Sequence, residues 1–495
     1  MMTKYYFIAI FGILAYGVKA QKFKKTPESK IMPSEVEKHI RFLASDELMG
    51  RKTGHAGNNT AARYIAEEFR SFGLDMVSSS SFYQAVPFMT TNQPTEGSIS
   101  GGDVVLKIND DFLLMNGGGI NIENVEKAHI GYAWASEDGT YNDYKDVDVR
   151  GKIVVAQIGT PDAKGFREMM AASERKMELA KKYGALALIE VFTIPAPWNA
   201  LQKNFGNGTI SIEKKGKTNF TRILINQTTA KIIGKEVVKR ISLKVEELVN
   251  LSTPSNNVIG MIEGSDPNLK SEYVLLSAHF DHVGFHEEHE EGEDYIFNGA
   301  RDNAIGVSAL LSAAKALSTL PAKRSVLFIA YTGEEIGLKG SGYYAENPML
   351  PLNKCIFNLN IDGAGYNDKT LVSGIGIKRT GAEVEITRAV EAVGLKLIDD
   401  PTPELGLFDR SDNVQMAAKG IPAPSFSPGF TSFDEEISKY YHKEADEADN
   451  LDFVYLAKFA KSYAFAARLI SNMKTVPKWI SGDKYEALGE ALYKN

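Results

Sequence analysis

Apolar residues recur at helical spacing in two stretches near the start of the chain. In PSEVEKHIRFL, Val36, Ile40 and Leu43 fall on one face of a helix, and in TAARYIAEEFRSF a second stripe includes Ile65 and Phe69. The segment between them, MGRKTGHAGNN, is rich in glycine and asparagine, which favour a loop. The pattern therefore predicts two amphipathic helices joined by a loop.

From residue 272 onward the pattern changes to near-continuous apolar runs that alternate with helical segments. The runs YVLLSAHFD, RSVLFIAYTGEE and CIFNLNIDG predict strands, and NAIGVSALLSAAKAL predicts a helix. Strands that are apolar on both sides are typical of a sheet whose two faces are covered by helices. The sequence therefore predicts an α/β fold with a helix-flanked, mixed and largely parallel sheet.

A third pattern lies between these two parts of the chain. Glycine-punctuated runs with strand character (HIGYAW, GKIVVAQIG, ALALIEVF and TRILIN) surround one helical stretch, MAASERKMELAKKYGA. This pattern predicts a separate small α/β domain inserted into the larger one. We expect residues 1–20 to be a leader, 21–111 and 249–473 to form the larger domain, 112–248 to be the insertion, and 474–495 to be a C-terminal tail.

The leader has the features of a secretory signal peptide. Lys4 precedes an apolar run over residues 5–18, and Val18-Lys19-Ala20 follows as a cleavage site. The run is shorter than the roughly 20 residues that span a bilayer, although an uncleaved anchor is the alternative. No cysteine follows the run, so a lipoprotein anchor is not supported. We expect an exported protein, periplasmic or extracellular, without a stable membrane anchor.

Composition limits the possible functions in two respects. The net charge of -7 gives no support to nucleic-acid binding, which normally requires a basic face. Cys355 is the only cysteine among 495 residues, so the chain has no intrachain disulfide and no cysteine-based zinc site. It opens the apolar run CIFNLNID, and we expect it to be a small core residue.

Candidate metal ligands follow the predicted strands. The stretch LLSAHFDHVGFHEEHEEGED holds four of the chain's eight histidines, beginning with His279 at a strand end. Glu334 and Glu335 follow a second strand and Asp362 a third, and in such sheets ligands gather at the carboxyl ends of strands. Imidazole and carboxylate groups together suit zinc.

Two more candidates and the spacing of the others refine this hypothesis. Asp302, in NGARDNAIG, either bridges two metal ions or caps the helix that follows, and His442 adds a second imidazole. Five ligands exceed the needs of one catalytic zinc but suit two metals about 3.5–4 Å apart. Asp281 lies two residues after His279, where its carboxylate could fix the tautomer of the imidazole. Glu334 and Glu335 are adjacent and point in different directions, so one can bind metal while the other acts as a base.

Five blocks in this part of the chain resemble, in order and spacing, the signature blocks of the M28 family of zinc peptidases. They are SAHFDHVG, NGARDNAIG, YTGEEIGLKGS, NLNIDGAG and KYYHKEADEADNL. LASDELMGRKTGHAGNNTAARYIAEEFRSFGL resembles the N-terminal helices of this family, and YNDYKDVDVRGKIVVAQIG resembles the protease-associated (PA) domain that is often inserted into its members. The resemblance covers most of residues 33–470 and implies the zinc exopeptidase fold.

The resemblance also implies a role for each candidate. One zinc would be held by His279, Asp302 and Asp362, and a second by Asp302, Glu335 and His442; Glu334 would be the general base, Asp281 would orient His279, and Tyr441 would stabilise the oxyanion. Asp412, in RSDN, matches a Ser-Asp block of the family whose next residue is often histidine, but here it is Asn413.

The function implied is hydrolysis of the N-terminal peptide bond of peptides or proteins by an aminopeptidase with two zinc ions. A carboxypeptidase of the same fold that acts on acidic C-termini is one alternative and would need a basic pocket. A single-zinc glutaminyl cyclase and a receptor-like binding protein without metals are the others. No ligand role is expected for His282, and we expect residues 286–294 to form a solvated acidic loop.

Overall fold

A computed structural model describes residues 23–78, 80–194, 197–206, 208–213, 219–235 and 238–494. The predicted signal peptide, residues 1–20, lies outside these residues. Two compact units divide the chain: the first runs up to Pro87 and resumes at Pro254, and the second is Phe88–Thr253. None of the described helices combines the length and hydropathy that crossing a membrane requires.

The first unit is built around a mixed sheet, which has nine strands within the described residues. In chain order they are β1 Asp75–Met76, β2 Tyr83–Val86, β3 Ser255–Ile262, β4 Tyr273–His279, β5 Ser325–Tyr331, β6 Cys355–Ile361, β7 Leu371–Ile375, β8 Lys396–Asp399 and β9 Ser425–Pro428. Across the sheet the order is β1-β3-β5-β4-β6-β9-β7-β8, and β2 also pairs with β3.

The centre of this sheet is parallel and its flanks are mixed. Strand β4 lies parallel to both β5 and β6, and β6 is parallel to β9. Strand β3 joins β5 antiparallel, and β7 joins β9 antiparallel. Every residue of β4, β5 and β6 is buried, which explains their continuous apolar runs. The structure therefore confirms the predicted α/β fold with a mixed sheet, whose parallel part lies at the centre.

Helices cover both faces of the sheet. They are α1 Pro33–Leu43, α2 Ala56–Ser71, α3 Ile305–Thr319, α4 Lys339–Glu346, α5 Glu383–Ala392, α6 Asn413–Ala417, α7 Glu435–Ser438, α8 Phe453–Ser471 and α9 Glu486–Tyr493. Short 3₁₀ turns occupy Pro27–Lys30, Asp46–Arg51, Leu352–Lys354, Ile377–Arg379, Pro403–Leu405, Leu407–Arg410 and Ala448–Asn450, and a two-stranded hairpin pairs Gly284–Phe285 with Ile296–Phe297. The two predicted N-terminal helices are confirmed as α1 and α2.

Alternate residues of the central strands pack on opposite faces. Val274 and Leu276 of β4 join the core formed by α1, α2, α3 and α8, whereas Leu275 joins the core on the other face. Cys355 is fully buried in that second core, as expected. The predicted C-terminal tail also packs there, because the ring of Trp479 is buried and its Nε1–H donates to the carbonyl oxygen of Gly420 at 3.0 Å.

The second unit contains an eight-stranded and a three-stranded sheet among its described residues. Its strands are Phe88–Asn92, Gly97–Gly101, Val104–Lys107, Phe112–Asn116, Ile120–His129, Ile153–Gln157, Ala187–Val191, Thr209–Ile212, Arg222–Ile225, Arg240–Val245 and Val249–Ser252, and its helices are Phe166–Ala171, Ser173–Lys182, Trp198–Gly206 and Gln227–Ile233.

The bounds of this unit are wider than the predicted insertion, 112–248. Strand Phe88–Asn92 pairs with Thr209–Ile212 and Val249–Ser252, and Gly97–Gly101 pairs with Arg240–Val245. These partners are distant in the sequence, so a pattern read along the chain does not reveal that the preceding strands belong to the same sheets.

Candidate metal centre

Three adjacent strands bring most of the predicted ligands to one edge of the central sheet. His279 is the last residue of β4, Asp362 directly follows β6, and Glu334 and Glu335 follow β5. Because β4, β5 and β6 are parallel neighbours, their carboxyl ends meet at the same edge. The side chains of His279, Glu335 and Asp362 therefore converge although they lie far apart in the sequence.

Asp302 enters this edge from an irregular turn ahead of α3. Its backbone is not helical, with φ -115° and ψ 92°, and Ala304 rather than Asp302 occupies the N-cap position of α3. The turn depends on Gly299, whose φ is +61°, since a Cβ atom there would lie 2.4 Å from the carbonyl oxygen of Asp302. Asp302 is therefore not the helix cap that the sequence left as an alternative.

The carboxylate of Asp302 presents one oxygen to each of two clusters. Its Oδ1 lies 3.3 Å from Nε2 of His279, which is also 3.3 Å from Oδ1 of Asp362. Its Oδ2 lies 3.2 Å from Nε2 of His442, which is also 3.2 Å from Oε2 of Glu335. His442 adopts a left-handed backbone conformation, with φ 53°, of the kind that is often found at functional sites.

These separations match those of metal ligands. Tetrahedral coordination with bonds of about 2.0–2.2 Å places ligand atoms roughly 3.3–3.6 Å apart. The donor atoms of His279, Asp302 and Asp362 form one group that could hold a metal ion, and those of Asp302, Glu335 and His442 belong to another. The residues present thus fit two cations that share Asp302.

His282 also belongs to the second group, although the sequence suggested no ligand role for it. Its Nδ1 lies 2.8 Å from Oε1 of Glu335, whereas the other oxygen of this carboxylate, Oε2, is the one near His442. Nε2 of His282 is buried and has no hydrogen-bond partner within the described residues. His282 therefore holds the second oxygen of Glu335 in place. It lies beyond the end of β4, where strand alternation no longer predicts the direction of a side chain.

The carboxylate of Asp281 serves a different part of the site from the one expected. Its Oδ1 is 3.9 Å from Nδ1 of His279, beyond hydrogen-bond distance, while that nitrogen lies 3.2 Å from the backbone oxygen of Asp281. The carboxylate instead accepts the N–H groups of Glu334 and Glu335 at 3.1 and 3.3 Å and the hydroxyl of Thr53 at 2.9 Å. Asp281 thus fixes the backbone that carries both glutamates.

Two buried residues outside the predicted set hold the loops of the site. The Arg51 guanidinium donates to the backbone oxygens of Phe280 at 2.7 Å and Gly299 at 2.9 Å, and also to those of Leu43 and Asn298. The carboxylate of Asp446 accepts the N–H groups of Arg301 and Asp302 at 3.0 and 3.2 Å. Sequence reasoning missed both, because most of the backbone groups that they bind lie far from them in the sequence.

All five ligand candidates fall within one segment that matches a known family. The model of a family described as peptidase family M28 matches residues 257–466. This segment is an M28 peptidase domain. The resemblance of the signature blocks to that family is thereby confirmed.

Individual relatives of the M28 domain are similar over part of their length. Aminopeptidase YwaD of Bacillus subtilis is 26% identical over 219 residues, which cover 43% of this chain and 44% of that protein. A probable leucine aminopeptidase 2 of Aspergillus oryzae is 28% identical over 243 residues, 45% of this chain and 46% of that protein. The match thus spans less than half the length of either relative.

A solved structure extends the similarity of fold beyond the M28 domain. The aminopeptidase from Aneurinibacillus sp. strain AM-1 is 20% identical, with a TM-score of 0.55, and the alignment covers 89% of this chain and 94% of that one. The fold of most of the chain thus has a counterpart in a solved protein.

A cavity in the M28 domain opens onto the two clusters. Glu334 and Tyr441 line it together with Asp302, Asp362 and His442. Burial raises the pKa of Glu334 well above its usual value, which suits a carboxylate that takes up a proton. Burial also raises the pKa of Tyr441, so its hydroxyl stays protonated and can donate a hydrogen bond into the cavity.

The clusters of the M28 domain are electrostatically suited to positive charge. Burial disfavours the charged ring of His442, but the hydrogen bonds that the ring donates to the carboxylates of Asp302 and Glu335 raise its pKa to about 10. The pKa of His279 is raised well above its usual value in the same way: burial opposes protonation, and Asp362 and Glu334 outweigh it. The negative charge of the carboxylates, which raises the pKa of both imidazoles, would also stabilise cations bound at the two clusters.

The remaining histidines of the acidic stretch lie apart from the M28 cavity. His286 and His289 are exposed, as are the carboxylates of residues 287–294. Nε2 of His286 pairs with Glu444 at 3.0 Å, and the ring of His289 stacks on Tyr295. The expected solvated acidic loop is confirmed for residues 286–294.

Proposed function

We propose that the chain is an exported aminopeptidase that uses two zinc ions. The observation that carries this proposal is the carboxylate of Asp302, whose two oxygens face separate histidine-carboxylate clusters. The match to peptidase family M28 supports peptide-bond hydrolysis, and the names of the matched relatives support cleavage at the N-terminus.

In this proposal each zinc ion has three protein ligands and shares one of them. His279, Asp302 and Asp362 would hold the first ion, and Asp302, Glu335 and His442 would hold the second. Ions bound there would lower the pKa of a water molecule towards neutrality and would polarise the carbonyl group of the peptide bond.

Glu334 and Tyr441 carry out the proton and hydrogen-bond chemistry. The carboxylate of Glu334 takes a proton from the attacking water and gives it to the amine that leaves. The Tyr441 hydroxyl donates a hydrogen bond to the oxygen of the scissile carbonyl as negative charge develops on it. Asp281 keeps Glu334 in position through the backbone N–H that it accepts.

The two alternative functions with fewer metals have less support. A single-zinc glutaminyl cyclase would leave the cluster around His442 and Glu335 without a use, and a receptor-like protein would not need Glu334 as a buried base. The proposed export is based on the signal-peptide pattern of residues 1–20. We also propose that the insertion predicted at 112–248 is a PA domain.

The variant Glu334→Gln tests the mechanism. We expect turnover of leucine p-nitroanilide to fall at least about 100-fold, since a general base contributes roughly 10²–10⁴ to the rate. Metal content, measured by plasma mass spectrometry, should stay near two zinc ions per chain. Glu346→Gln, which removes an exposed carboxylate on α4, is the matched control and should change neither quantity.

Three results would contradict the proposal. Loss of zinc from the Glu334→Gln variant would mean that Glu334 is a ligand rather than a base. Activity of the wild-type protein that survives prolonged chelation would reject the metal mechanism. Hydrolysis only of N-blocked peptides with free C-termini would replace the aminopeptidase with a carboxypeptidase.

A further inference from the structure

The cavity over the metal centre contains one guanidinium group. Arg410 lines this cavity together with Glu334, Asp362 and Tyr441. Among the lining residues that the structure describes, it is the only lysine or arginine, and the other charged groups there are carboxylates and His442. The carboxylates are either ligand candidates or the proposed base, so Arg410 is the charged group with no assigned partner.

The nearest acidic residues in the sequence do not neutralise Arg410. Asp409 precedes it, but both oxygens of this carboxylate lie 2.8 Å from Nζ of Lys484. Asp412 follows two residues later and is buried, and neither of its oxygens has a hydrogen-bond partner among the described residues. No carboxylate of the described residues forms an ion pair with Arg410. The Arg410 side chain is exposed and lies at the end of the turn Leu407–Arg410.

The surroundings of Arg410 strengthen its attraction for an anion. The lining of the cavity includes three serines and the apolar side chains of Ile375, Leu407, Phe430 and Phe433. A substrate that fills this space displaces water, and a charge pair in such surroundings is stronger than one in open solvent.

We propose that Arg410 binds a carboxylate group of the substrate while the scissile peptide bond lies at the metal centre. A guanidinium group forms two parallel hydrogen bonds with a carboxylate, which adds orientation as well as affinity. The carboxylate has two possible sources: the side chain of an N-terminal aspartate or glutamate, or the C-terminus of a dipeptide. This inference rests on the proposed peptidase function and specifies the substrates that it favours.

Kinetics with paired substrates test the proposal and distinguish the two sources. Glutamyl and glutaminyl p-nitroanilide differ by a side-chain carboxylate, and Leu-Leu and Leu-Leu-amide differ by a C-terminal one. We expect the wild-type protein to prefer the carboxylate in one pair, and Arg410→Gln to reduce kcat/KM for that substrate about ten- to hundredfold. The neutral member of the pair should change less than about threefold.

Arg70→Gln is the matched control, because Arg70 is an exposed arginine of α2 that pairs with Glu67. It should leave both preferences unchanged. Absence of a preference in both pairs, or a preference that survives Arg410→Gln, would overturn the proposal. Since Arg410 is exposed, the variant should fold normally, and an unchanged thermal unfolding curve verifies this.

A binding measurement separates this inference from the proposed function. Calorimetric titration of the Glu334→Gln protein with Leu-Leu, Leu-Leu-amide, glutamate and glutamine reports affinity without turnover. Tighter binding of a carboxylate ligand that disappears in Glu334→Gln/Arg410→Gln supports the inference even if the wild-type protein hydrolyses none of the substrates. Hydrolysis of leucine p-nitroanilide without any effect of Arg410 on binding or rate supports the function and rejects the inference.

Discussion

Replacement of Arg51 by methionine should destabilise the first unit strongly and loosen the metal centre. Methionine fills a similar volume but cannot donate the hydrogen bonds of 2.9 Å or less that the guanidinium makes to four backbone oxygens, or the longer one, of 3.5 Å, to the backbone oxygen of Asp302. The four nearer oxygens belong to the end of α1, to the residue after β4 and to the turn before Asp302. The side chain of Arg51 is almost completely buried, so water does not replace it easily.

The magnitude follows from two opposing contributions. A buried carbonyl group left without a donor costs about 1–3 kcal/mol, so four of them cost about 8 kcal/mol at the middle of that range. Removal of the buried charge offsets part of this cost. Burial lowers the pKa of Arg51 to about 10, which corresponds to an unfavourable contribution of about 3 kcal/mol to folding that methionine does not make. We therefore expect the free energy of unfolding to fall by about 5 kcal/mol, a large fraction of the stability of an ordinary domain.

Urea unfolding of metal-free protein measures this change in the first unit alone. Trp479 reports on that unit when the other two of the chain's three tryptophans, Trp134 and Trp198, are replaced by phenylalanine in every variant. The control is Arg41→Met, which removes an exposed arginine paired with carboxylates of Glu37 and Asp449 and should cost less than about 1 kcal/mol. An Arg51→Met protein as stable as this control would refute the reasoning.

Two further predictions concern buried carboxylates of the first unit. Asp281→Asn weakens the acceptor of the Glu334 N–H, so we expect kcat for leucine p-nitroanilide to fall about tenfold or more. An unchanged kcat would show that the Asp281 carboxylate does not position Glu334. Burial raises the pKa of Asp412 to about 7 in the folded protein, above the value of 3.8 for a free side chain, so protonation favours folding and stability falls as pH rises from about 4 to 7. Asp412→Asn should therefore raise Tm of the metal-free protein more at pH 8 than at pH 5, and an equal effect at both would contradict the assigned pKa.

The central strands and the positions of the ligand candidates could be predicted because the information is local. A strand such as SVLFIAY has an unbroken apolar run after its first residue only if both of its faces are covered, and the structure buries all seven residues. The polar residues directly after such strands must lie at the edge of the sheet. Once the strands are parallel, His279, Glu335 and Asp362 are brought together without further information.

Residues that support the site could not be predicted because their partners are remote. Arg51 and Thr53 lie in a segment whose composition predicts only a loop, yet they form hydrogen bonds with Phe280 and Asp281, 229 and 228 positions later.

One strand predicted in the second unit is shorter than its sequence pattern suggests. The run HIGYAW has strand character, but the strand ends at His129, since the Asp143 carboxylate accepts the N–H groups of Tyr132 and Trp134 at 2.7 and 3.1 Å.

Asp281 shows why a correctly chosen residue can have a different role from the one its spacing suggests. The expectation that it orients His279 relied on strand alternation, which places residues i and i+2 on the same side. Strand β4 ends at His279, so this alternation no longer applies at Asp281, and its carboxylate turns towards the end of β5. There it joins Thr53, ahead of α2, to the backbone of Glu334 and Glu335. The proposed base and one candidate metal ligand are thus positioned by a single buried carboxylate, which makes their geometry depend on the N-terminal segment of the chain.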